Sequence, residues 1–233
     1  ADFFFFFGKV FGQLKVLNLS ECRNLNICPD FTTMRHLEIL DLLNCRKMTE
    51  LHPSIGHLKS LTRLNLRWCF SLRGLPKEVW ELTSLEELDI SNCVQIIALP
   101  SQLVDSKSLK RPLLGKLKVM NLDSCVNLVI CPDFTCMPNI EKLNFGCCFN
   151  MTNLHPSIGQ LKSLTYLSLW GCQSLKELPE GVWQLTSLEE IDLSECSQIR
   201  ALPSQLLYCK SLKRPLLDKL KVTGGGGSCS NHF

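Results

Sequence analysis

Apolar residues return along this chain in one fixed frame, Leu-x-x-Leu-x-Leu-x-x-Cys, as in Leu61-Thr62-Arg63-Leu64-Asn65-Leu66-Arg67-Trp68-Cys69. The frame begins at Leu14, Leu37, Leu61, Leu85, Leu117, Ile140, Leu164 and Leu188, with steps of 23, 24, 24, 32, 23, 24 and 24 residues. Its fourth and sixth positions are apolar and its fifth is polar, the alternation of a half-buried strand. Leu64 and Leu66 are therefore expected to point inward and Asn65 outward. A second apolar set follows the cysteine, as in Leu72, Leu75, Val79 and Leu82. Val79 and Leu82 stand three apart, which predicts one helical or 3₁₀ turn on the outer side. Pro76 suits a sharp turn or the first position of a short helix.

One repeat has too few apolar side chains to offset the entropy of ordering its backbone, so the repeats must stack. Every connection runs the same way round, so the strands are expected to be parallel. The steps also contain a longer unit. Residues 12–114 align with 115–217 without a gap, and 66 of those 103 positions are identical. The organisation expected is an atypical segment at 1–11, a repeat domain at 12–222 and a flexible Gly-rich tail at 223–233. The repeat domain holds eight repeats as a duplicated unit, and a ninth is expected to start at Leu220. The step of 32 carries Ser106–Lys116, in which Leu109 begins like a strand. Pro112 stands where a Leu is expected and lacks a ladder donor, so a stub repeat or bulge is predicted. Its lysines and arginine form either a small basic patch with Lys118 or a solvated loop.

The stretches "LKVLNLSECRNL", "PDF", "LHPSIGHLKSL" and "LPKEVWELTSLEELDISNC" resemble a leucine-rich-repeat domain. The resemblance is to those of plant intracellular immune receptors of the nucleotide-binding, disease-resistance type, and covers about residues 12–217. It implies an α/β leucine-rich-repeat solenoid: a curved parallel β-sheet with irregular or short helical outer connections. It further implies a cytoplasmic protein-recognition module without cofactor. Its partner would be a pathogen effector or the receptor's own nucleotide-binding domain, held on the concave face. Two other readings stand beside it, a substrate adaptor of a ubiquitin ligase and a non-functional fragment.

A net charge of +3, from 25 basic and 22 acidic residues, gives no case for nucleic acid or an anionic membrane. No run has the 18 or more apolar residues of a membrane span. The Phe3–Phe7 run has no basic leader, so no signal peptide is expected; it is either a makeshift end cap or an unordered appendage. Among 14 cysteines, the eight at the ninth position of the frame are expected to be buried thiols. They stand where many such repeats carry Asn, a spacing that also fits zinc poorly. Cys147 is the candidate for an exposed, reactive thiol. His52 and His155 recur at equivalent turns, which favours a structural role. No G-x-S-x-G, H-E-x-x-H or G-x-x-x-x-G-K-[ST] is present, and no enzyme is expected.

The concave positions of the frame are the third, fifth, seventh and eighth. The candidate partner-binding residues are Arg63, Asn65, Arg67, Trp68, Asp89, Tyr166, Trp170 and Asp192, because Trp, Tyr and Arg dominate binding hot spots. Trp80 and Trp183 fall on the outer connection and are read as packing residues. Of 16 concave positions, 11 differ between the two halves, against 26 of the other 87. That is either the freer drift of exposed residues or a recognition surface retuned after duplication.

Overall fold

The computed structural model of the chain describes residues 11–100, 114–199 and 214–216. Nine strands lie side by side, in chain order and all parallel, in one sheet. They are β1 (Val16–Asn18), β2 (Ile39–Asp41), β3 (Arg63–Asn65), β4 (Glu87–Asp89), β5 (Val119–Asn121), β6 (Lys142–Asn144), β7 (Tyr166–Ser168), β8 (Glu190–Asp192) and β9 (Arg214–Leu216). The first eight span the third to fifth positions of the frame. The register is uniform, so Leu40, Leu64, Leu88, Met120, Leu143 and Leu167 form one fully buried row. The solenoid fold expected from the periodicity is the fold observed.

The outer connections hold four 3₁₀ turns, Pro53–His57, Lys77–Glu81, Pro156–Gln160 and Glu180–Gln184. Val79 is buried inside its turn, while Pro76 caps it instead of opening it. The His-Pro-Ser-Ile-Gly turns are fixed by side chains. Nδ1 of His52 accepts the Ser54 N–H, and the Ser54 hydroxyl lies 2.7 Å from that nitrogen. Ser54 Oγ also accepts the buried Phe31 N–H at 2.8 Å, tying one repeat to the one before it. His155, Ser157 and Phe134 repeat this arrangement in the second half. Trp80 is buried with its Nε1–H on the Pro100 carbonyl, and Trp183 packs half-buried against the core. The turns at Gly159 and Gly181 touch backbone to backbone: a Cβ on Gly159 would sit 2.7 Å from Gly181 Cα.

The cysteine row is a hydrogen-bonded ladder. Each thiol donates to the carbonyl at the sixth position of the preceding repeat: Cys45 to Leu19, Cys69 to Leu42, Cys93 to Leu66, Cys125 to Ile90, Cys148 to Leu122, Cys172 to Phe145 and Cys196 to Leu169, at 3.0–3.3 Å. A thiol, although a weak donor, thus satisfies a buried carbonyl where a larger amide would also serve. Burial pushes the thiols of Cys45, Cys69, Cys125 and Cys196 up to about 12, and raises those of Cys93, Cys148 and Cys172 well above the ordinary thiol value. Cys22, with no described repeat before it, is exposed.

Two cysteines, Cys22 and Cys147, depart from what the sequence predicts. Cys147 is not an exposed thiol: its residue is 1% exposed and its sulfur is disulfide-bonded. The frame puts it on the outward face of the strand, but the eighth position lies beyond the strand, in a left-handed turn whose N–H bonds the Trp170 carbonyl of the next repeat. The ninth strand of the sheet is Arg214–Leu216, and the repeat expected from Leu220 lies outside the described residues. This strand follows β8 by a step of 24, with Arg214 opposite Glu190. In the first half the sheet runs from β4 directly to β5, a step of 32. The Phe run at 3–7, the stub at 106–113 and the tail at 223–233 lie outside the described residues.

Candidate functional site

The open face of the sheet is built by three rows with different work to do. The fifth-position row is Asn18, Asp41, Asn65, Asp89, Asn121, Asn144, Ser168 and Asp192. Each Asx side-chain oxygen in it accepts the N–H two residues on, as in Leu43 to Asp41, Arg67 to Asn65 and Ser91 to Asp89, at 2.8–3.1 Å. These closures turn the chain out of the strand, the local side-chain-to-backbone bonding that Asn and Asp favour. Asn65 also donates from Nδ2 to Asp41, and Asn121 to Asp89. Asn65, Asp89 and Asp192, singled out above as partner-binding residues, thus all hold turns.

The eighth-position row is left-handed throughout. Glu21, Asn44, Trp68, Asn92, Ser124, Cys147, Gly171 and Glu195 have φ between 52° and 70°. The cause is a second cross-repeat bond: the N–H of Glu21, Asn44, Trp68, Asn92, Ser124, Cys147 and Gly171 each donates to the seventh-position carbonyl of the next repeat. A left-handed residue with a side chain costs about 1–2 kcal/mol. For bulky Trp68 (φ 63°) this is an outlier of the kind that accompanies function. Its indole is half-buried and carries the Arg67 guanidinium 4.8 Å from the ring centroid.

The third-position row carries the long side chains. Arg63 is exposed and its Nε donates to Glu87 at 2.8 Å. Val119, the short member, separates Glu87 from Lys142 and Tyr166. The result is a hollow of about 110 Å³ lined by Glu87, Asp89, Val119, Asn121, Lys142 and Tyr166. Sequence reasoning did not find it, although a short side chain between long ones at the third position is the signal. Tyr166 and Trp170 are both half-buried. They stand four strands from Arg63 and Trp68, roughly 19 Å at the inter-strand spacing. The candidate residues therefore form two patches, with the hollow between them.

Carboxylates prevail across this face: Glu21, Asp41, Glu87, Asp89, Asp123, Glu190, Asp192 and Glu195 stand against three cations, Arg63, Arg67 and Lys142. Burial raises the Asp123 carboxyl, with the Asp89 charge adding to the rise against Arg67 and a Ser124 hydrogen bond. Burial likewise raises the Tyr166 phenol, and Glu190, Asp192 and Asp123 push the same way. Among the described residues no group of three His, Cys, Asp or Glu is placed to hold a metal ion. None of the described helices is long and apolar enough to cross a membrane.

No family model matches the sequence. Solved structures do. A leucine-rich-repeat protein of Leptospira interrogans matches over 87% of this chain at 30% identity with a TM-score of 0.58. The leucine-rich repeat domain of the type III effector XopL matches over 70% at 26% identity with a TM-score of 0.55. The chain spans about half the length of each, 54% in both cases. The parallel sheet, the short outer turns and these likenesses together show that the chain is a leucine-rich-repeat domain.

Proposed function

We propose that this chain is a protein-recognition module whose open sheet face binds a protein ligand, within the sensing or autoregulatory part of a plant immune receptor. The observation that carries it is the Arg67–Trp68 stack. A Trp is held half-exposed in a left-handed backbone position where repeats one, two, four, five and eight carry Glu, Asn or Ser. Nothing in the stacking of repeats calls for an indole there. Trp and Arg bury large area at small entropic cost when a partner docks. Arg63, Tyr166 and Trp170 supply the remaining anchors, and the hollow beside Tyr166 receives one partner side chain. The immune-receptor part of the reading rests on the sequence resemblance alone. A substrate adaptor of a ubiquitin ligase would use the same face.

The test is capture of a plant receptor's nucleotide-binding domain, and of effector proteins, by the full chain and by Trp68→Asn and Trp170→Ala variants. Asn occupies the equivalent left-handed position at Asn44 and Asn92, so Trp68→Asn keeps the backbone. Both variants are expected to melt within a few degrees of the parent and to lose at least tenfold in affinity, about 1.4 kcal/mol. Unchanged binding by both variants would sink the assignment of this face. Binding to neither protein class would sink the receptor reading.

A further inference from the structure

Guanidinium groups stack on aromatic rings at two places, and both rings belong to one turn. Arg67 stands over the Trp68 ring, 4.8 Å from its centroid, and Arg46 over the Phe70 ring at 5.5 Å. The Phe70 N–H bonds the Trp68 carbonyl at 2.9 Å, which closes the turn between the rings. Strong pairs of this kind occur about once in 70–80 residues, so two at a single turn exceed the background.

Arg46 is exposed, yet it is held in place. Its Nε donates to Asn44 Oδ1 at 2.7 Å. Asn44 is buried, and its own amide donates to Glu21 at 2.8 Å. A neutral amide and a ring thus position this guanidinium. Glu21 pairs with Arg23, and among the described residues Arg46 forms no ion pair.

The duplication shows that repeat stacking does not require these pairs. Arg23, Arg46, Arg63 and Arg67 correspond to Val126, Phe149, Tyr166 and Trp170 in the second half, and Trp68 and Phe70 to Gly171 and Gln173. The second half builds the same strands and 3₁₀ turns without them.

We propose that the Arg46–Phe70 and Arg67–Trp68 stacks form a docking site for an acidic segment of a protein partner, whose carboxylates take the guanidinium groups and whose apolar atoms cover the rings. This rests on the reading of the open face as a protein-binding surface and adds the chemistry of what is held there. Charge complementarity selects the occupant. The terminal nitrogens of Arg46 form the fork that a carboxylate matches with two parallel hydrogen bonds. A basic segment would set like charges against Arg46, Lys47 and Arg67. The carboxylates of the adjoining fifth-position row, Asp41 and Asp89, are each engaged with a turn N–H and an asparagine amide. Glu190, Asp192 and Glu195 stand on the eighth repeat, at the other end of the face.

Fluorescence anisotropy of labelled octa-glutamate, octa-lysine and octa-glutamine peptides against the full chain tests it. Octa-glutamate is expected to bind, more weakly as salt rises, and the other two are not. Arg46→Phe copies the residue that the second half carries at Phe149 and is expected to melt with the parent. It is expected to weaken octa-glutamate binding about tenfold, and Arg46→Lys, which keeps the charge without the fork, about threefold. Lys142→Gln removes a cation elsewhere on the face and is expected to change nothing. Failure of octa-glutamate to bind, or equal losses from Lys142→Gln and Arg46→Phe, would overturn the site. So would tighter binding of a single-stranded DNA octamer, since phosphate would then be the anion read. A captured protein that is lost with Trp68→Asn but kept with Arg46→Phe would overturn this inference alone. Octa-glutamate bound through Arg46 with no protein captured would support the site and overturn the recognition reading.

Discussion

The thiol row ties the chain's stability to pH. Burial holds the ladder thiols protonated well above the ordinary thiol value in the folded chain, up to about 12 for Cys45, Cys69, Cys125 and Cys196. The folded state therefore holds more protons above about pH 9, and stability falls as pH rises. Below that value the contribution of the row is complete. All seven ladder thiols act in this direction. The melting temperature at pH 10 is expected to lie below that at pH 8, and a flat profile would contradict the buried row. That the frame ends in a buried sulfur, as it does in seven of eight repeats, was legible because only a structural role explains a cysteine recurring at one position. The acceptor was not, because a carbonyl one repeat away is invisible in a linear pattern. Trp68 shows the same limit: its exposure followed from the frame, but its left-handed backbone arises from a bond to Ser91, 23 residues on.

At the scale of the element, strand and turn are separable. Asp89→Ala removes the acceptor for Ser91 N–H and the partner of Asn121, and is expected to cost about 1 kcal/mol in denaturant unfolding. Asp89→Asn keeps the turn-closing oxygen, as Asn65 and Asn121 do, and is expected to be near neutral. If both variants were equally destabilised, the turn would not be the residue's role. The serines of the 3₁₀ turns make a sharper case. Ser54→Ala strands the buried Phe31 N–H, and Ser157→Ala strands that of Phe134. Each is expected to cost about 1–3 kcal/mol, and the two costs should agree because the halves are copies. Sequence placed Leu64 inward and Asn65 outward correctly from a period of two. It reads Asn65, Asp89 and Asp192 as ligand contacts and does not show that each also closes a turn, since a polar side chain on an open face looks the same whether or not it bonds its own backbone. Cys147 misled for a related reason: the frame says which way a strand residue points, and the eighth position is no longer strand.

For the whole molecule, duplication is the governing fact. It makes the ladder continuous across the step of 32, where β4 pairs directly with β5. The sequence pattern predicts an anomaly at Pro112 and a ninth repeat at Leu220; both lie outside the described residues, and Arg214–Leu216 adds a ninth strand against β8. The hollow under Tyr166 likewise belongs to no single repeat; it needs Glu87, Val119 and Lys142 on three successive strands.

The alternation of amide and acid along the fifth-position row also sets how this protein ages. Asn65 sits beside Asp41 and Asp89, and Asn121 beside Asp89, each amide giving a neighbouring carboxylate the donor it lacks. Spontaneous deamidation of Asn65 would turn that donor into a third carboxylate within one strand spacing, and of Asn121 into a second beside Asp89. At Asp41 the lesion would reach the next turn directly, since one oxygen there both takes the Asn65 amide and closes the turn at Leu43.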